Sequence, residues 1–272
     1  MKRQRLNWQE KVRKNVRKIM DFEHVKAVFE EYLNGYDREN DKVKLKIVHT
    51  YGVIRCSEEI GQRMGLQAED MELAKLIALL HDIGRFEQLK RFNSFEADTM
   101  DHATYGVKVL FEEGMIRQFI EEDIWDDVIR TAIAKHSDYE LTGITDERTL
   151  LHARLIRDAD KLDNCRVKLE DAMETLLDLS ADEVGKYAIS PKVREDAFAG
   201  KCICSKDRRT PMDYWVSYVA YFYDLNFQET LDIVAEEQYV KRIIGRVPYT
   251  NEQTKKTMEE LERQLTEYVR RK

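Results

Sequence analysis

The stretch LAKLIALLHDIGRFEQL, Leu73 to Leu89, runs through apolar helix formers and then sets His81 and Asp82 side by side. Without Gly or Pro, the run reads as a core helix, with Glu69 or Asp70 near its start and Gly84 placed to end it. A carboxylate at the end of a buried helix needs a partner, because an unpaired buried charge is expensive. A metal ion is one such partner. Consecutive helical residues point about 100° apart, so His81 and Asp82 reach a common ion only at the edge of their helix, and further ligands must come from elsewhere in the chain.

Working outward, the surrounding sequence is helical too. The chain has 272 residues, 43% hydrophobic, with only 11 Gly and 3 Pro, which predicts an all-α fold with a closed core. Apolar positions at Val12, Val16, Ile19, Val25, Val28, Phe29 and Tyr32 give one helical rhythm, ending near Asn34-Gly35-Tyr36-Asp37. A second helix runs from Lys42 to Gly65 with His49 on its apolar stripe. The segment Arg85–Asp101 has poor periodicity and is expected to be a loop able to lie over a site. Helical spacing returns over His102–Gly114, and again through Ile129, Ile133 and His136. The stretch from Thr149 to Leu177 is strongly helical and carries Asp158, Asp160 and Asp163 in its middle. Turn signals gather after Leu177, followed by an aromatic helix around Tyr214–Tyr223 and a tail with Met258, Leu261 and Leu265 on one stripe. The expected organisation is a helical domain over residues 1–180 and a helical extension over 181–272 packed on it.

The net charge of −7 argues against a surface that coats extended nucleic acid. No apolar run approaches a membrane span and the basic start lacks a signal-peptide core, so a cytoplasmic protein without a membrane partner is expected. Cys56, Cys165, Cys202 and Cys204 show neither a disulfide framework nor CxxC pairs and read as free thiols. The aromatic stretch covers too much of its helix for a base-stacking platform and suits core or a homodimer interface.

A lone histidine on an apolar face is ordinarily a core residue, and a mid-helix aspartate is ordinarily solvated. The joint pattern differs from both. Taken in order, His49, the His81–Asp82 pair and Asp160 resemble the H…HD…D signature of the HD-domain superfamily of metal-dependent phosphohydrolases, over roughly residues 43–165. The resemblance implies an HD-type helical bundle in which His49, His81, Asp82 and Asp160 bind a divalent metal. Helical periodicity allows Asp158 or Asp160 as the last ligand; the family's habit of placing it before a basic residue favours Asp160, followed by Lys161. His102 and His136 match the two further histidines of binuclear members, in which the HD aspartate bridges two ions. His24 and His152 have no motif support and read as structural or surface residues.

Imidazole and carboxylate donors suit Mn, Fe, Co, Ni or Zn better than Ca, with one or two ions per chain. Such a site lowers the pKa of water toward neutrality, which points to hydrolysis. Asp82, Arg85 and Lys161 are the candidate catalytic residues, the two cations for their closeness to the ligands; Lys90, Arg91 and Lys135 are weaker candidates. Asp101 and Asp138 flank the extra histidines and either orient them, serve as proton-transfer groups or are simply solvated. The expected substrate is a small phosphorylated molecule such as a nucleotide. The alternatives are a di-iron oxygenase like myo-inositol oxygenase, whose relatives use a similar set, and a non-catalytic ligand sensor. No GYP motif follows the HD pair, and no synthetase domain of the stringent-response type is recognisable.

Overall fold

The computed structural model describes residues 20–96 and 98–271; the rhythm through Val12, Val16 and Ile19 lies outside them. Every regular element among the described residues is helical. Helix α1 (Phe22–Leu33) starts where the Asp21 carboxylate accepts from the amides of Glu23 and His24. Helix α2 (Asp41–Met64) is capped by Asn40 and stopped by Gly65, whose φ of 70° is accessible to glycine without strain. Helix α3 (Ala68–Leu80) is buried over most of its circumference, as its apolar run predicts.

Two expectations fail at the end of α3. The helix stops at Leu80, the chain turns at Asp82 (φ −105°, ψ 18°), and Gly84 lies in the first turn of a new helix, α4 (Ile83–Phe92). The stretch expected to be a loop is therefore largely helical. Ile83, Phe86 and Leu89 form its buried face, a three-residue repeat too short to stand out against the charged residues between them. Only residues 93–96 and 98–101 lie outside helices in that region.

Helix α5 (His102–Val107) passes into a π-helical turn at Lys108–Glu112 and is followed by α6 (Ile116–Phe119) and α7 (Asp126–Lys135). The long α8 (Glu147–Glu170) packs against α2 and α7, and α2 also packs on α3. Glycine permits a close crossing between α4 and α5. A Cβ on Gly84 would collide with the carbonyl oxygen of His102 and the backbone nitrogen of Gly106.

The carboxy-terminal elements are α9 (Met173–Leu177), α10 (Ala181–Val184), α11 (Pro191–Phe198), α12 (Pro211–Ala220), α13 (Gln228–Glu236), α14 (Tyr239–Ile244) and α15 (Glu252–Arg271). A 3-10 turn at Tyr221–Asp224 continues α12. Met258, Leu261, Leu265 and Val269 of α15 are buried in one hydrophobic core shared with α2, α3 and α8. Trp215 and Phe222 of the aromatic stretch are fully buried in that core. Asp158 accepts hydrogen bonds at 2.8–3.0 Å from the Asn226 amide and side chain, the Phe227 amide and the Thr230 hydroxyl, and so ties α8 to the start of α13. No helix among the described residues is long and apolar enough to cross a membrane.

Candidate metal centre

The turn that ends α3 leaves His81 at the C-cap position of one helix and Asp82 at the N-cap position of the next. Asp82 accepts no capping hydrogen bond there, although a capping aspartate typically contributes about 1 kcal/mol. Its carboxylate instead points inward, 3% exposed. One oxygen, Oδ1, lies 3.2 Å from His102 Nε2 and 3.6 Å from His136 Nε2. The other, Oδ2, lies 3.5 Å from His81 Nε2. On the His81 side, Asp160 Oδ1 lies 3.9 Å from His81 Nε2 and 2.9 Å from His49 Nε2.

Two triads result, His49–His81–Asp160 and Asp82–His102–His136, each with ligand atoms close enough to hold one ion. Asp82 joins them, one oxygen toward each. The six residues come from α2, α8, the α3–α4 turn, the start of α5 and the end of α7, so the whole bundle converges on this point. Asp158 stays outside it, occupied with α13.

The donor set fits a metal. His49 Nδ1 faces Asp163 Oδ2 at 2.8 Å, His81 Nδ1 faces the Ala78 carbonyl at 2.7 Å, and His136 Nδ1 faces the Ile133 carbonyl at 2.7 Å. Each of these acceptors holds the proton on Nδ1 and leaves an Nε2 lone pair directed inward. His81 Nε2 is buried without a hydrogen-bond partner, and His102 Nε2 and His136 Nε2 face each other at 3.1 Å. Burial pushes His81 down to about 4 and, with the nearby Arg85 charge, His102 down to about 3, so both are neutral in the physiological range. Lone pairs converging on a carboxylate without a proton between them call for a cation.

The carboxylates are ready for one. Burial by itself would raise Asp82, but the Lys46 ammonium 2.5 Å away holds it well below the usual range. Asp160 is likewise held low against the effect of burial, with His49 2.9 Å away and the Lys46 charge nearby. Asp163, which orients His49, is gripped by Arg166 through two contacts of 2.9 Å. Gly52 makes room for it, because a Cβ there would strike the Asp163 carboxylate.

Among the cations, Arg85 donates to His102 Nε2 at 2.9 Å and sets its Nε 3.8 Å from Asp82 Oδ1. Lys161 pairs with Asp224 at 2.7 Å and borders an adjoining cavity that shares His136 and Asp160 with the main one. Lys90, Arg91 and Lys135 bond elsewhere, to the Gly35 carbonyl, Glu87 and Asp138. Asp101 caps α5 through Thr104 and orients no histidine; the Asp138 carboxylate faces Lys135. His152 is buried against Asp70, and His24 bonds the Gln118 carbonyl on the surface. The four cysteines are free.

Sequence reasoning missed Lys46, whose Nζ lies 2.5 Å from Asp82 Oδ2, and Lys168, which is 5% exposed beside the same cavity. The signal for Lys46 was its place one turn before His49 on the same helix. Lys168 stands two turns beyond Asp160 on α8, where a lysine ordinarily reads as solvated. A cavity of about 300 Å³ opens over the triads, lined by Lys46, Asp82, Arg85, Asp160, Lys168 and the carboxy-terminal Arg208, Tyr214 and Tyr218.

Comparison with known proteins agrees with this geometry. Residues 47–165 match the HD domain family, a span that contains all six triad residues and Asp163. Ribonuclease Y of Acetivibrio thermocellus is 29% identical over 165 residues, 58% of this chain and 27% of that protein, so the alignment spans only about a quarter of the relative. No solved structure matches. The matched span and the two His/Asp triads converging on Asp82 together show that residues 47–165 of this chain form an HD domain.

Proposed function

We propose that the chain is a metal-dependent phosphohydrolase that cleaves a phosphate ester or anhydride of a nucleotide or another small phosphorylated metabolite. The observation that carries this reading is the meeting of two His/Asp triads at one carboxylate, with Lys46 and Arg85 against that same carboxylate. His49, His81 and Asp160 would hold one divalent transition metal, and His102 and His136 a second, with Asp82 between them. When bound, the metal supplies Lewis acidity toward a phosphoryl group and toward water.

The chain's own residues contribute charge and position. Lys46 and Arg85 lie within reach of the oxygens of a phosphoryl group placed at Asp82 and would bear part of its charge in the transition state. Both are largely shielded from solvent, which strengthens that interaction. Asn164 donates to Asp160 Oδ1 at 2.9 Å and Asp163 holds His49, so each orients a ligand without touching substrate. The name of the relative, Ribonuclease Y, denotes an enzyme that cleaves RNA, which supports a reaction at phosphorus.

Elemental analysis of protein purified without a metal-binding tag, alongside turnover of a panel of phosphorylated substrates, tests the reading. Close to two transition-metal ions per chain and release of phosphate or a phosphorylated product are expected. In His81→Ala, turnover should fall by more than the roughly 10- to 100-fold typical of losing a residue that merely supports a ligand, with helical content unchanged. A metal-loaded protein that binds phosphorylated ligands but turns none over would be a sensor instead. Iron with substrate-dependent oxygen uptake would make it an oxygenase.

A further inference from the structure

Lys168 is the least explained charge in the molecule. It is 5% exposed and borders the cavity over the triads. Its ammonium donates to Asn164 Oδ1 at 3.1 Å and lies 4.1 Å from the centre of the Tyr218 ring. No carboxylate among the described residues pairs with it, in a chain that carries 52 acidic side chains. An ammonium has three donors and a large desolvation penalty, so one amide and one ring leave it poorly compensated.

Arg208 repeats the pattern on the same cavity. Its guanidinium stacks 4.2 Å from the Tyr214 ring centre, its Nε donates to the Ser205 carbonyl at 3.4 Å, and it too forms no ion pair among the described residues. Lys42, a third cation on the lining, donates to the Asn93 carbonyl at 3.2 Å and has the exposed Asp178 at 3.4 Å as its one carboxylate partner among the described residues. The rings of Tyr214 and Tyr218 hold Arg208 and Lys168 in place without neutralising them. A single phosphoryl group at the triads is matched in charge by bound metal, Lys46 and Arg85. It leaves Lys168 and Arg208 unmatched.

We propose that the substrate carries a second phosphate group, bound by Lys168 and Arg208 with Lys42 beside them, while the first sits at the triads. This rests on the phosphohydrolase reading and narrows its substrate class to molecules with at least two phosphates. They are either contiguous, as in a nucleoside 5′-diphosphate, or separated, as in a nucleoside 3′,5′-bisphosphate.

Equilibrium binding to the manganese-loaded full chain tests the inference. The probes are inorganic phosphate, methylenediphosphonate as a contiguous pair that is not hydrolysed, adenosine 5′-monophosphate and adenosine 3′,5′-bisphosphate. At least one two-phosphate probe is expected to bind about 10-fold or more tighter than its one-phosphate counterpart, and which one does so reports the spacing. Lys168→Gln, which retains hydrogen-bonding capacity toward Asn164, should remove most of that advantage while changing inorganic phosphate binding less than about 2-fold. Arg208→Gln should do the same, and it decides the matter if Lys168→Gln fails to fold. Equal affinity for one- and two-phosphate probes overturns the inference and leaves the phosphohydrolase reading standing. So does an equal loss of inorganic phosphate and two-phosphate binding in the variants. Failure of the loaded wild-type chain to bind any probe, inorganic phosphate included, counts against the phosphohydrolase reading itself.

Discussion

At the scale of the residue, the centre depends on who holds each imidazole. His49 is held by Asp163, which in turn is fixed by Arg166. Burial raises the Asp163 carboxyl, but the His49 and Arg166 hydrogen bonds outweigh it and keep the group ionised. Asp163→Asn removes that charge at nearly constant volume. Metal titration of the variant should show affinity at one site weakened roughly 10- to 100-fold, with the melting temperature little changed. Unchanged affinity would mean that Asp163 does not act through His49. Lys168 gives a second expectation at this scale. Burial, with the Lys46 charge next, pushes its amine down to about 8, below the unfolded value of about 10.4. Between those values the unfolded chain binds more protons, so the stability of the metal-free protein should rise with pH from about 8 to about 10. Below pH 8 the charged Lys168 is a burden on the fold. Lys168→Met should therefore stabilise the metal-free protein at pH 7, by up to about 3 kcal/mol in urea unfolding, and flatten the rise above pH 8.

At the scale of the element, two glycines set how closely helices approach the centre. Gly52 on α2 leaves the space that Asp163 of α8 fills, and Gly84 on α4 lets that helix press against the backbone of α5 beside His102. The obstacles differ in kind. A side chain can yield to a new methyl, whereas the His102 carbonyl and the Gly106 amide are backbone and must move with their helix. Gly84→Ala is therefore expected to lower stability by about 1–3 kcal/mol or more by chemical denaturation. It should also withdraw His102 from Asp82, so metal bound per chain should fall even in the fraction that remains folded. Full metal content in a folded Gly84→Ala protein would refute this account of the crossing.

At the scale of the whole molecule, the carboxy-terminal helices complete the cavity that the HD domain opens. Arg208, Tyr214 and Tyr218 line it from α12 and the segment before it, while α8 carries Asp160 and Lys168. Asp158 is one of the ties between the two parts, with its carboxylate satisfying the Asn226 and Phe227 amides just before α13 and the Thr230 hydroxyl within it. Asp158→Ala leaves the buried Thr230 hydroxyl and the half-buried Phe227 amide without their acceptor, and a buried unsatisfied group costs about 1–3 kcal/mol. Thermal unfolding should report a loss of at least about 2 kcal/mol, and hydrogen exchange should quicken first in α13 and its neighbours. Metal affinity, set by residues on the other side of α8, should change less than substrate affinity. The opposite order would mean that the tie serves the metal centre directly.

The all-helical fold and the residues that meet in the two triads were readable in the order of residues, because helix propensity, apolar periodicity and the H…HD…D order are all local or ordered along the chain. The resemblance favoured Asp160 over Asp158, and only packing showed why: one faces His49 and the other caps α13. The break between His81 and Asp82 was hidden, since the apolar run continues through Ile83 and the turn depends on how α4 meets α5. The helix Ile83–Phe92 was missed because its buried face is short and its other face is charged. The cations divided the same way. Arg85 and Lys161 were chosen for sequence proximity, yet the structure turns Lys161 toward Asp224 and brings Lys46, Lys168 and Arg208 to the cavity instead. Which residues can bind a metal follows from their chemistry and order. Which charges share the space above it is decided by the packing of distant helices, and no local pattern encodes that.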